Sequence, residues 1–216
     1  MSEPLSIIRL DALRAAPLHE RPFPFVVVPD FLSAGCRAEI AGDFPDMRAR
    51  GSYPLGQLKW GAAFGRLADE LQSPALRAAI EEKFGLDLSE RHAMITVRGR
   101  ADKRDGRIHT DTKSKFLTLL LYLNQGWEEG GGRLRLLRGS KSLEDYVVEI
   151  PPTFGTCLIF QVTDNCWHGH KSFAGARRVL QLNYIRDEGA LNRHLLRHKL
   201  AAKWKHLRQQ FGLGGS

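Results

Sequence analysis

The chain has 216 residues, 43% of them hydrophobic, and a formal charge of +8 from 32 Lys and Arg against 24 Asp and Glu. That length fits one domain with a substantial core, and the near-average apolar content excludes an intrinsically disordered chain. Three scattered cysteines (Cys36, Cys157, Cys166) exclude a disulfide framework and a thiolate zinc site.

No run approaches the ~20 apolar residues that cross a bilayer, and the N-terminus carries no apolar stretch behind a basic start. A cytoplasmic protein with no transmembrane segment is therefore expected. Its positive charge favours an anionic partner, whether acidic substrate, nucleic acid or membrane surface.

From the N-terminus, PFPFVVVPDFL (22–32) predicts a short strand, Phe25 to Val28, closed off by prolines. Ser33 is placed to cap a helix reaching about Asp43. Residues 44–72, with Gly51, Pro54, Gly56 and Gly61, read as a long loop, and such loops inside domains are commonly functional. A second helix is expected after Ser73, with Pro74 at its first position and Gly85 as its stop.

From residue 92 the pattern becomes short strands, at 92–98, 107–110, 115–124, 133–138, 145–150, 155–161, 166–170 and 177–185. Gly, Asp-Gly and Pro-Pro breaks divide them, and the spacing predicts an all-β barrel or jelly roll with the N-terminal helices on one face. Residues 190–211 return to helical spacing, with Leu191, Leu195, Leu196, Leu200, Trp204, Leu207 and Phe211 in one stripe. This basic amphipathic helix is expected to pack on the barrel or a second copy; peripheral contact with an anionic membrane is the second reading. The whole, 1–216, is expected to be one domain: a helical layer over about 1–91, a β core over about 92–186, and the C-terminal helix.

The chemistry begins with His109-Thr110-Asp111. Residues two apart on a strand share a face, so imidazole and carboxylate can converge on one ion. Alone, such a pair is as readily a turn with a His and a capping Asp. His168, on a later strand, adds a third ligand. Two His and one carboxylate form the facial set that suits non-heme Fe(II) and leaves coordination positions open. His170 shares the face of His168 and is the competing ligand.

Arg177 and Arg178 follow, and the guanidinium fork suits a carboxylate. Alternation groups Arg177 with Val179, Gln181 and Asn183, the more polar set, and Arg178 with Leu180, Leu182 and Tyr184. Arg177 is therefore the inward one. In FLTLLLYL (116–123) the leucines at 117, 119, 121 and 123 belong under a helix layer, which points Thr118 and Tyr122 into the barrel. Arg133 and Arg135 read as a solvated outer face. Trp127 reads as loop packing, and Trp167 as packing first and an entrance residue second.

HTD, LTLLLYLNQGW, GGRLRL, FGTCLIFQ, WHGH and GARRVLQLNY, in that order across about residues 92–185, resemble the prolyl-4-hydroxylase-type Fe(II)/2-oxoglutarate-dependent oxygenases. The likeness is nearest to the branch containing the oxygen-sensing prolyl hydroxylases. The resemblance implies a mainly β double-stranded β-helix with Fe(II) on His109, Asp111 and His168. It implies 2-oxoglutarate as cosubstrate, its distal carboxylate on Arg177 of Gly175-Ala176-Arg177 and on Tyr122, with Thr118 beside it. The nine-residue step from His168 to Arg177 fits the family spacing better than the seven from His170. O2 enters, succinate and CO2 leave, and a substrate is hydroxylated; related halogenases lack the carboxylate that Asp111 supplies.

Two departures leave the substrate open. Where some prolyl hydroxylases carry a tyrosine, about ten residues before the first His, this chain has Gly99 between Arg98 and Arg100. No peptide-clamping segment is recognisable in 44–72, so protein prolyl hydroxylation is not implied. The competing expectations are a nucleic-acid dealkylase of the same cofactor class, which would place a second Arg where Asn183 stands, and a non-catalytic or cupin-like metal-binding module.

Overall fold

The computed structural model describes residues 6–47, 50–186 and 189. Its helices are α1 (Leu10–Ala15), α2 (Arg37–Gly42), α3 (Ala62–Leu71) and α4 (Pro74–Phe84), with 3-10 turns at Ala34–Cys36 and Leu55–Gln57. Its strands are β1 (Phe25–Val28), β2 (Tyr53–Pro54), β3 (His92–Ala101), β4 (Lys115–Tyr122), β5 (Leu134–Leu137), β6 (Tyr146–Ile150), β7 (Cys157–Gln161), β8 (His168–His170) and β9 (Gly175–Ile185). One sheet runs β1-β7-β4-β9-β3-β2 and the other β6-β5-β8. Every neighbouring pair is antiparallel. This is the two-sheet jelly roll expected from the strand spacing, with one difference: the segment at 107–110 enters it through a single bridge, His109 to His168, rather than as a strand.

Period-two alternation separates two cores. Leu117, Leu119 and Leu121 leave β4 on one face and join Val97, Ile159 and Leu182 beneath Phe64, Leu67, Leu76 and Ile80 of the helices. Tyr122 leaves on the opposite face, into the space between the sheets, with Leu136, Leu158, Phe160 and Val179 and with Leu120 packed at its edge. The same alternation sorts the two arginines of β9. Arg178 points out, donating from Nη1 to the Ala41 carbonyl at 3.1 Å, its guanidinium 4.9 Å from the Phe44 ring centre. Arg177 points in and is 6% exposed.

The helix signals were unequal. In α4, Ser73 Oγ accepts from the Leu76 amide at 3.2 Å, Pro74 begins the helix, and Gly85 ends it in the left-handed region at φ 63°. Ser33 makes no such cap; its hydroxyl donates to the Ser6 carbonyl at 3.1 Å, and a 3-10 turn precedes α2 at Arg37. Residues 44–72 are not one loop, for they contain β2 and the ten-residue α3. The N-terminus of α3 is capped by Asp43, whose Oδ2 accepts from the Ala63 amide at 2.6 Å. A Cβ on Gly61 would stand 2.2 Å from that carboxylate, so the close approach itself requires glycine. A cap lent from so far along the chain leaves no local start signal.

Arg135 also differs from expectation. Register sets it opposite Glu149, and its Nε donates to that carboxylate at 2.5 Å while Nη1 reaches Glu144 at 2.9 Å. It is 6% exposed and belongs to a structural ion cluster rather than a solvated face. Among the described residues no helix is long and apolar enough to cross a membrane. The amphipathic helix expected over 190–211 lies outside the described residues.

Leu119 is fully buried at the seam between sheet and helices. Leu119→Ala is expected to destabilise the protein by about 2–5 kcal/mol in chemical denaturation, and the volume-conserving Leu119→Met by less than about 1.5 kcal/mol. Equal losses from both would contradict this packing.

Candidate metal centre

His109 and His168 exchange a pair of backbone hydrogen bonds: His109 N–H to the His168 carbonyl at 3.0 Å and His168 N–H to the His109 carbonyl at 2.9 Å. This bridge holds the HTD segment against the edge of β8 and sets the two rings 4.3 Å apart, centre to centre. Asp111 follows two residues on. One ligand atom from each of His109, Asp111 and His168 lies within 4.8 Å of the others. Both imidazoles are fixed in one tautomer. Nδ1 of His109 stands 2.8 Å from the Arg107 carbonyl and Nδ1 of His168 stands 2.8 Å from the Cys166 carbonyl. A carbonyl only accepts, so both Nδ1 atoms carry the proton and both Nε2 lone pairs are free for a metal.

Asp111 is prepared in the same way. Burial alone would raise its pKa, but Lys115, His168 and Thr118 outweigh it and hold the carboxyl below its usual range. Lys115 Nζ lies 3.0 Å from Oδ1, and the Thr118 hydroxyl donates to Oδ2 at 2.6 Å. Asn183 Oδ1 sits 3.2 Å from that hydroxyl and accepts from Gln181 Nε2 at 2.9 Å. The carboxylate stays ionised and oriented. A donor set of two neutral imidazoles and one carboxylate suits a divalent first-row ion.

These groups line a cavity of about 450 Å³ that also takes in Arg177, Arg98, His170 and Gln181. Arg177 donates from Nε to the Gly132 carbonyl at 2.8 Å, and its Nη2 lies 3.5 Å from the Tyr122 hydroxyl. No carboxylate among the described residues pairs with it, although it is 6% exposed. A buried guanidinium with only neutral partners is costly unless an anion completes it. Tyr122 is fully buried behind Arg177, its ring centre 5.3 Å from the guanidinium carbon, and does not itself line the cavity. Trp167 is not among the lining residues either.

The structure therefore brings together His109, Asp111, His168, Thr118 and Arg177, with Tyr122 as the support beneath Arg177. Sequence reasoning did not single out Lys115, Asn183 or Arg98. Lys115 stands four residues after Asp111 where β4 begins, and Asn183 lies on the face of β9 that alternation assigns to Arg177, although no role was read for it. His170 lines the cavity, while His168 alone of the two joins the ligand cluster.

Burial lowers His168 and His170 to a pKa of about 4 each. The unfolded chain protonates these groups near 6.5 and the folded chain only near 4. In that window the unfolded state binds more protons, so stability is lost as pH falls through it. The melting temperature of the metal-free protein is expected to drop by roughly 5–10 °C from pH 6.5 to 4, and His170→Gln to remove part of that slope. A flat profile would contradict the neutral, buried state of these rings.

Residues 97–186 match the model of the 2OG-Fe(II) oxygenase superfamily. No curated protein sequence matches the chain. Among solved structures, a Pseudomonas putida prolyl-4-hydroxylase superposes with a TM-score of 0.56 at 22% identity, covering 82% of this chain and 90% of that one. The viral collagen prolyl hydroxylase of Paramecium Bursaria Chlorella virus-1, in its 2OG complex, gives 0.53 at 17% identity over 74% of this chain and 94% of its own. HygX of Streptomyces hygroscopicus, with nickel and 2-oxoglutarate bound, gives 0.54 at 14% identity over 74% of this chain and 81% of its own. The His109, Asp111 and His168 cluster lies inside the segment that matches the oxygenase model, and the chain shares the fold of these solved structures.

Proposed function

We propose that His109, Asp111 and His168 hold Fe(II), that Arg177 anchors the distal carboxylate of 2-oxoglutarate, and that the protein hydroxylates a substrate bound in the same cavity. The observation that carries this reading is the pairing, in one cavity, of a pre-set ligand triangle with a buried guanidinium that lacks a carboxylate.

The oxidising chemistry belongs to Fe(II), 2-oxoglutarate and O2, with succinate and CO2 as by-products; the chain supplies position and surroundings. His109 and His168 present Nε2 because their Nδ1 protons are tied to carbonyls. Thr118 and Lys115 fix both oxygens of Asp111, so the carboxylate reaches a metal in one orientation. Tyr122 supports the Arg177 guanidinium from behind, and Thr118 stands beside the ligand set. Phe160, Leu134, Leu120 and Val179 give the cavity an apolar wall that limits water near the reacting atoms. Asp111 supplies the carboxylate that related halogenases lack, which favours hydroxylation over halogenation.

Calorimetric titration of Mn(II)-loaded protein with 2-oxoglutarate tests the anchor. Arg177→Gln is expected to weaken cosubstrate binding at least about tenfold, the scale for a lost charge-assisted pair. His109→Ala and Asp111→Ala are expected to abolish succinate formation with Fe(II). Unchanged 2-oxoglutarate affinity in Arg177→Gln would reject the assignment.

A further inference from the structure

The charge lining the cavity exceeds what the cosubstrate can use. Five cationic side chains stand there against two acidic ones, Asp105 and Asp111. Lys115 is spent on Asp111 at 3.0 Å and Arg98 on Asp105 at 3.2 Å. Arg104 is held by Asp102 at 3.0 Å. Arg177 takes the distal carboxylate in the reading above. A divalent metal and the 2-oxoglutarate dianion cancel each other, so loading the site leaves the positive excess in place.

The remaining cation is Arg107. Its guanidinium has no hydrogen-bond or ion-pair partner among the described residues, and it lines the cavity two residues before His109. The backbone that carries it is tightly fixed. The Gly106 carbonyl accepts from the His170 amide at 2.9 Å, and the His109–His168 bridge pins the other side. A Cβ on Gly106 would stand 2.4 Å from the His170 ring, and one on Gly169 would stand 2.8 Å from the Gly106 carbonyl oxygen. Gly106 also has φ +87°, so this strap is built for close contact with β8. A long cation on a rigid strap beside the metal ligands is a pre-placed anion receptor.

We propose that Arg107 binds an anionic group, carboxylate or phosphate, of a small primary substrate. The proposal rests on the oxygenase reading, because that reading assigns Arg177 to the cosubstrate and leaves Arg107 for the substrate.

The test uses the full chain loaded with Mn(II) and 2-oxoglutarate, with inorganic phosphate and 13C-acetate as probes. Paramagnetic relaxation of the 31P and 13C signals reports an anion held near the metal. Wild-type protein is expected to relax at least one probe, with at least a fivefold smaller effect in Arg107→Gln and partial recovery in Arg107→Lys. Relaxation of phosphate alone points to a phosphorylated substrate, and of both to a carboxylate-tolerant receptor. No enhancement of either probe, or equal enhancement in Arg107→Gln, would overturn the proposal. If Mn(II) binding itself shows no dependence on 2-oxoglutarate, the cofactor reading fails instead, and that outcome is visible before any probe is added.

Discussion

The constraint on which the site depends is the two-bond backbone exchange between His109 and His168. It is a single bridge, yet it fixes the distance between two imidazoles and the direction of the chain that delivers Asp111. A one-residue slip at this bridge would turn a ligand away from the cavity, because side chains alternate along extended backbone. The register is secured by close packing rather than by length. Glycines at 106 and 169 let the strap and β8 approach to a distance no side chain would allow. The two Nδ1–carbonyl bonds then carry that backbone precision into the rings.

Around this bridge the fold arranges charge in matched pairs, with two exceptions. Lys115 answers Asp111, Asp105 answers Arg98, and Asp102 answers Arg104. Arg177, buried, and Arg107, at the mouth, have no acidic partner among the described residues. Burial lowers the pKa of Arg98, and the nearby Arg177 lowers it further, so the two guanidiniums feel each other across the cavity despite Asp105. An interior that concentrates like charge is destabilised until anions enter it. The two guanidiniums without an acidic partner are the ones to which the anion-binding roles are proposed.

Much of this was legible in the residues because period-two alternation is a strong signal where each strand has two different faces. The leucines of β4 and the Arg177/Arg178 choice on β9 both follow from it. The HTD pair and His168 could be read as ligands because residue type and spacing are what metal binding demands. The helix α3 was missed because its cap is Asp43, a neighbour in space whose identity as a cap no local pattern reveals. Its buried stripe of Phe64, Leu67, Ala68 and Leu71 was present but outweighed by the surrounding glycines and proline. Arg135 was misjudged for a related reason. Its partners lie away from it in sequence: pairing register sets Glu149 opposite it, and the turn before β6 brings Glu144 to it.

The central claim is that metal and 2-oxoglutarate share one site built on His109, Asp111, His168 and Arg177. Anaerobic titration of the protein with Fe(II) and then 2-oxoglutarate addresses it most directly, followed through the weak visible charge-transfer absorption that a 2-oxo acid gives when it shares a site with this type of iron. The absorption is expected to develop to one equivalent of each component in the wild type and to be lost in His109→Ala. Tight Fe(II) binding with no absorption on adding 2-oxoglutarate would contradict it, leaving a metal centre without the cosubstrate.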